Sequence, residues 1–179
     1  MPTMKPWRST TVFLVPASYL LRLPYAVRAQ EKEAEIENVP QDIVMQITAA
    51  SFADNYVLSA KVNPFYLRGD FDGDGRPDYA VRVVSKKGGF QGIVVYLSSQ
   101  KGPVLLGAGT AFKFGGSAAV DFKGLDVWQV YGKQAVERGV GAGPPPKLVG
   151  DAILLGKKDS GSGLIYWDGK KFLWYQQGD

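Results

Sequence analysis

Beyond residue 60 the chain alternates apolar and polar residues in short runs, the period of strands with one buried face. Phe65–Arg68, Tyr79–Ser85, Gly92–Ser98, Pro103–Ala108, Val127–Val130, Ala152–Leu155, Gly163–Trp167 and Lys171–Tyr175 read as strands, rich in β-branched and aromatic residues. Glycine-bearing turns separate them. Lys86-Lys87-Gly88-Gly89 predicts one hairpin, and Trp167-Asp168-Gly169-Lys170 predicts another, with Asp-Gly suited to the positive φ angles of a type I′ turn. Upstream the period changes: within Pro40–Phe52, Ile43, Ile47 and Ala50 fall at helical spacing, and Pro40 is tolerated in a first turn. The expected fold class is α+β: a mainly antiparallel β-sheet, as a sandwich or small barrel-like form, with one short N-terminal helix against one face or end. Gly139–Gly150, with its three consecutive prolines, reads as a surface loop, and residues 40–179 as one domain.

Residues 1–29 have a different pattern. Lys5 and Arg8 precede an apolar run from Thr11 to Leu21, and Ala26-Val27-Arg28-Ala29 places small residues before Gln30. That order predicts a signal peptide cleaved ahead of Gln30, and hence a periplasmic or secreted protein. A retained anchor is the rival, but Pro16, Arg22 and Pro24 interrupt the roughly 20 apolar residues a spanning helix needs. Residues 30–39 then form a charged, loose arm.

Processing changes the charge. The whole chain carries 21 Lys and Arg against 17 Asp and Glu. Lys5, Arg8, Arg22 and Arg28 all lie in the leader, which holds no acid, so 17 bases face 17 acids in the remainder. A balanced chain lacks the basic footprint of a nucleic-acid binder. The sequence contains no Cys and no His. Disulfides, thiolate or imidazole zinc sites, and Ser-His-Asp or Cys-His catalysis are therefore excluded within this chain.

One segment carries recognisable chemistry. In Asp70-Phe71-Asp72-Gly73-Asp74-Gly75-Arg76-Pro77-Asp78, four carboxylates fall at loop positions 1, 3, 5 and 9, with glycine at position 6. Packed this closely they repel, and a hard divalent cation that takes six to eight oxygen ligands reverses that cost. Position 6 needs a sharp turn, and position 7 supplies a backbone carbonyl, so Arg76 can sit there with its charge turned away. An EF-hand would place Glu at position 12, where this chain has Val81 and a strand-like continuation. The plain alternative is an Asp/Gly-rich turn that binds nothing.

The loop over residues 67–81 resembles the calcium loops of FG-GAP and VCBS repeats, which occur in integrin-like propellers and secreted bacterial proteins. The resemblance implies Ca2+ held by Asp70, Asp72, Asp74 and Asp78 together with the Arg76 carbonyl. It does not imply a propeller, because the loop occurs once. The end of the chain, Gly150–Ile153 and Leu164–Tyr175, resembles the terminal hairpin of small exported bacterial proteins. Together these features imply an exported calcium-binding module whose metal is mainly structural and whose role is binding. Its expected partner is an envelope or extracellular protein or a glycan.

Trp128, Tyr166, Trp167, Trp174 and Tyr175 bear on that partner. Alternation predicts one set lining the core and the other partly exposed, either as cross-strand pairs or as a platform for sugar rings. The alternative function is a cell-envelope hydrolase acting on glycans through a carboxylate pair drawn from Asp121, Asp126, Asp151 and Asp159. Their spacing brings no two of them together.

Overall fold

The computed structural model describes residues 39–178, so the expected leader and most of the charged arm lie outside the described residues. Helix α1 (Gln41–Thr48) starts where Pro40 supplies its carbonyl to the amides of Ile43 and Val44, and it buries Ile43 and Ile47. The helical pattern continues to Phe52, but the backbone does not. Ala49 is extended (ψ 134°) and a short α2 (Ala50–Ala53) restarts beyond it. The break turns Phe52 into the core, its ring 5.2 Å from that of Tyr56.

All eight strands read from the alternation are present as β2 (Tyr66–Gly69), β3 (Asp78–Ser85), β4 (Gln91–Tyr96), β5 (Val104–Gly107), β8 (Val127–Tyr131), β9 (Ala152–Gly156), β10 (Ser162–Trp167) and β11 (Phe172–Gly178). Three more were not read from it: β1 (Tyr56–Leu58) and the small hairpin β6 (Phe112–Phe114) and β7 (Ser117–Ala119). Every pairing is antiparallel. One sheet runs β1-β3-β4-β5, with β2 sharing the β1 edge of β3: β1 pairs Val83–Ser85 and β2 pairs Asp78–Val81. The second is the meander β11-β10-β9-β8. Neither closes on itself, so of the two expected forms the sandwich is the one observed.

Alternation along the strands builds four layers. Ala80, Ile93 and Val95 of the first sheet meet Trp128, Ile153, Leu155 and Ile165 of the second in the central core. Phe112, Phe114 and Phe122 stack edge-to-face beside Trp174 in the same core. The opposite face of the first sheet, carrying Val81, Val83, Val94 and Tyr96, is covered by Ile43, Ile47 and Phe52. The opposite face of the second, carrying Leu164 and Tyr175, is covered by Val136 and Leu148 of the proline-containing connection. Each large apolar side chain buried this way contributes about 1.5–3 kcal/mol against leaving it in water.

The aromatic residues of the C-terminal hairpin alternate between its faces as expected: Trp167 and Trp174, half-buried, pack on the central core, and half-buried Tyr166 and buried Tyr175 pack beneath the 132–150 connection. The Tyr175 hydroxyl accepts from the Gly139 amide and donates to the Gly143 carbonyl. The hairpin turn is wider than type I′. Gly169 alone has positive φ, while Asp168 keeps negative φ and its Oδ1 accepts the amides of Lys170 and Lys171, both at 2.8 Å. The aspartate side chain thus satisfies both of these turn amides.

Candidate metal centre

The acidic loop joins the end of β2 to the start of β3, and both of its ends are pinned. Phe71, at position 2, is fully buried in the central core among residues of both sheets. Asp78, at position 9, is the first residue of β3 and has no exposed surface. Its Oδ2 accepts the amides of Phe71 (2.8 Å) and Asp72 (3.3 Å), and its Oδ1 accepts the amide of Ser98 (2.7 Å). Burial raises its carboxyl pKa above the usual value, while the Ser98 and Phe71 amides oppose that rise.

Between these pins the carboxylates turn inward. Asp70 Oδ1 accepts the amide of Gly73 (2.8 Å) and Oδ2 that of Gly75 (3.0 Å). Asp72 Oδ1 accepts the Asp74 amide at 3.1 Å, and the Ser99 hydroxyl donates to its Oδ2. Gly75 has φ +83°, as expected at position 6. Gly73 has φ +80° as well, and a Cβ there would collide with the Val149 carbonyl.

Asp70, Asp72 and Asp78 each offer one carboxylate oxygen, and these atoms all lie within 4.8 Å of one another. Oxygens on opposite sides of a calcium ion, bound at 2.3–2.6 Å, lie at most about 5 Å apart, so the three fit around one ion. Asp74 lies outside that group. Its Oδ2 is held by the Arg76 guanidinium, with Nη2 at 2.6 Å and Nε at 2.9 Å, and the Ser98 hydroxyl also donates to it. The guanidinium lowers the Asp74 carboxyl pKa, and the carboxylate in turn raises that of Arg76. Three of the four expected carboxylates are therefore assembled, and the fourth is paired with the side chain of Arg76, whose backbone carbonyl was expected to ligate.

No local pattern in the chain foretells the brace from the second sheet. Asp151, just before β9, donates its amide to the Asp70 carbonyl (2.6 Å), while its Oδ2 accepts the Asp70 amide (3.0 Å). Its Oδ1 accepts the amide of Lys133. The chain runs so close here that a Cβ on Gly150 would strike the Asp70 carbonyl. The other acids weighed for catalysis lie at separate loops: Asp121 accepts from the Gln91 and Lys123 amides, Asp126 accepts from the Lys158 amide, and Asp159 is exposed in the β9–β10 turn. No family model matches this chain, and no curated protein or solved structure matches it either.

Proposed function

We propose that the protein is an exported binding module in which the 70–78 loop holds one calcium ion, chiefly for structural purposes. The observation that carries this reading is the convergence of the Asp70, Asp72 and Asp78 carboxylates within 4.8 Å. The resemblance to FG-GAP and VCBS loops names calcium among the divalent ions, and the apolar leader pattern supports export. Asp74 and the Arg76 carbonyl complete the ligand set once the guanidinium gives up Asp74. The loop is already held by Phe71, Asp78 and Asp151, so little ordering cost falls on metal binding. Histidine and cysteine chemistry is unavailable to the chain, which favours binding over catalysis. The partner is an envelope or extracellular protein or a glycan.

The test is the melting temperature in excess calcium and in chelator. At about 100 times the dissociation constant, binding to the folded state alone adds ~2.7 kcal/mol, a rise of several degrees for a chain of this size. Asp72→Ala loses the rise, and Asp74→Ala, outside the three-carboxylate group, loses less of it. If calcium leaves the wild-type melt unmoved, the loop is an acidic turn and the reading fails.

A further inference from the structure

Tyr79 and Tyr96 are directly opposed across β3 and β4, so their side chains share one face of the sheet, the face that α1 covers. Between that face and the helix lies a cavity of about 290 Å³. Asp42 and Gln46 of α1 line it on one side, Tyr79 and Tyr96 form its sheet wall, and Ser98 and Gln100 of the β4–β5 turn close it. Tyr96 is only 5% exposed, and its buried hydroxyl has no hydrogen-bond partner among the described residues. Burial keeps that hydroxyl protonated by raising its pKa. It is thus an unpaired donor and acceptor within the cavity wall, itself without accessible surface, where a buried hydroxyl ordinarily finds a partner.

The geometry points to a binding site for a neutral polyhydroxylated ring, one pyranose unit of a glycan, in the cavity between α1 and the Tyr79–Tyr96 pair. Its volume is at the small end for ligand sites, the scale of one ring and not of a chain. No Lys or Arg among the described residues lines it, which argues against phosphate or carboxylate ligands. Two carboxamides, three hydroxyl-bearing residues and one carboxylate come from α1, β3, β4 and the β4–β5 turn. That set offers both donors and acceptors, as ring hydroxyls require, whereas an ammonium group only donates. The tyrosine rings supply the apolar surface against which C–H faces of a sugar pack. This site stands apart from the metal reading, although Pro77 and Ser98 border both the cavity and the loop.

The experiment is a titration of the isotope-labelled full chain with glucose, galactose and N-acetylglucosamine, followed by amide chemical shifts and run with calcium and with chelator. The expected result is saturable shifts, in the millimolar range, confined to residues around 42–46, 77–79 and 96–102 for at least one sugar. Gln46 and Gln100 are exposed, so the double variant Gln46→Ala/Gln100→Ala keeps the wild-type melt and weakens binding about tenfold, as loss of two hydrogen bonds to ligand implies. Absence of such shifts for all three sugars under both conditions overturns the site. So does an unchanged affinity in the double variant, or saturation of the same amides by methylammonium in place of any sugar. Because the melt reads calcium separately, failure of the metal reading leaves this outcome distinguishable.

Discussion

Asp70 and Asp151 hold each other through two hydrogen bonds running in opposite directions, amide of Asp151 to carbonyl of Asp70 and amide of Asp70 to carboxylate of Asp151. The first residue of the acidic loop is thereby tied to the strand entering the second sheet. Asp151→Ala strands the amides of Asp70 and Lys133, each part of a chain that otherwise has a partner. The expected loss is about 1–3 kcal/mol, read as a lower urea midpoint with an unchanged slope. An unshifted midpoint would mean that water replaces the carboxylate at no cost and that the brace is incidental.

The two glycines of the loop that have positive φ are not equivalent. Gly75 points into open space, whereas Gly73 backs onto the Val149 carbonyl. Gly75→Ala is expected to cost only the left-handed backbone penalty, about 1–2 kcal/mol. Gly73→Ala adds a collision with main chain that cannot swing aside, for a total of about 2–5 kcal/mol. Equal losses in the two variants, measured by chemical denaturation, would show that the loop can move off the second sheet freely.

The alternation of apolar residues located every long strand because each of those strands has at least one face under a covering layer. It missed β1 and the β6–β7 hairpin, which are three residues each and too short to show a period. It ran one helix through Ala49, since a spacing rule sees side chains and not the backbone angle at which the chain turns Phe52 inward. At the site, carboxylate spacing identified Asp70, Asp72 and Asp78, which the fold brings together, but it included Asp74 on equal terms. Two residues apart on an exposed turn, Arg76 pairs with Asp74. Asp151 lies 81 residues from Asp70, and no local pattern links residues that far apart.

Asp168 lends itself to a test of charge without loss of shape. The amides of Lys171 and Lys170 donate to its carboxylate and lower its pKa below the usual value. A carboxyl whose folded pKa lies below its unfolded value near 4 stabilises the fold above that value, and the contribution is lost as pH falls through the folded pKa. Asp168→Asn keeps an oxygen acceptor and removes the charge. Between about pH 4 and pH 2 its melting temperature is expected to decline less steeply than that of the wild type. Parallel acid limbs for the two proteins would rule out a charge contribution from this turn.

Arg82 presents the opposite balance, a cation carried into the central core. It alternates with Val81 and Val83, which face the helical layer, is 2% exposed, and lies with its guanidinium 5.8 Å from the Trp128 ring centroid. Nη2 donates to the Leu125 carbonyl at 2.8 Å, but Nη1 has no partner among the described residues. Burial pushes its pKa down to about 10, with Asp126 opposing, so the group stays charged at neutral pH. A buried charge with one hydrogen bond and no carboxylate in ion-pair contact among the described residues costs more than its contacts return. Arg82→Met, which keeps the apolar stem and discards the charge, is therefore expected to leave stability unchanged or raise it by about 1–3 kcal/mol. Arg82→Ala empties the space between Trp128 and the sheet and is expected to lose about 2–4 kcal/mol through the cavity alone. Denaturation midpoints of the two variants separate packing from charge. If Met proves as damaging as Ala, the bond to Leu125 and the Trp128 contact outweigh the desolvation cost, and the guanidinium is a stabilising part of the core.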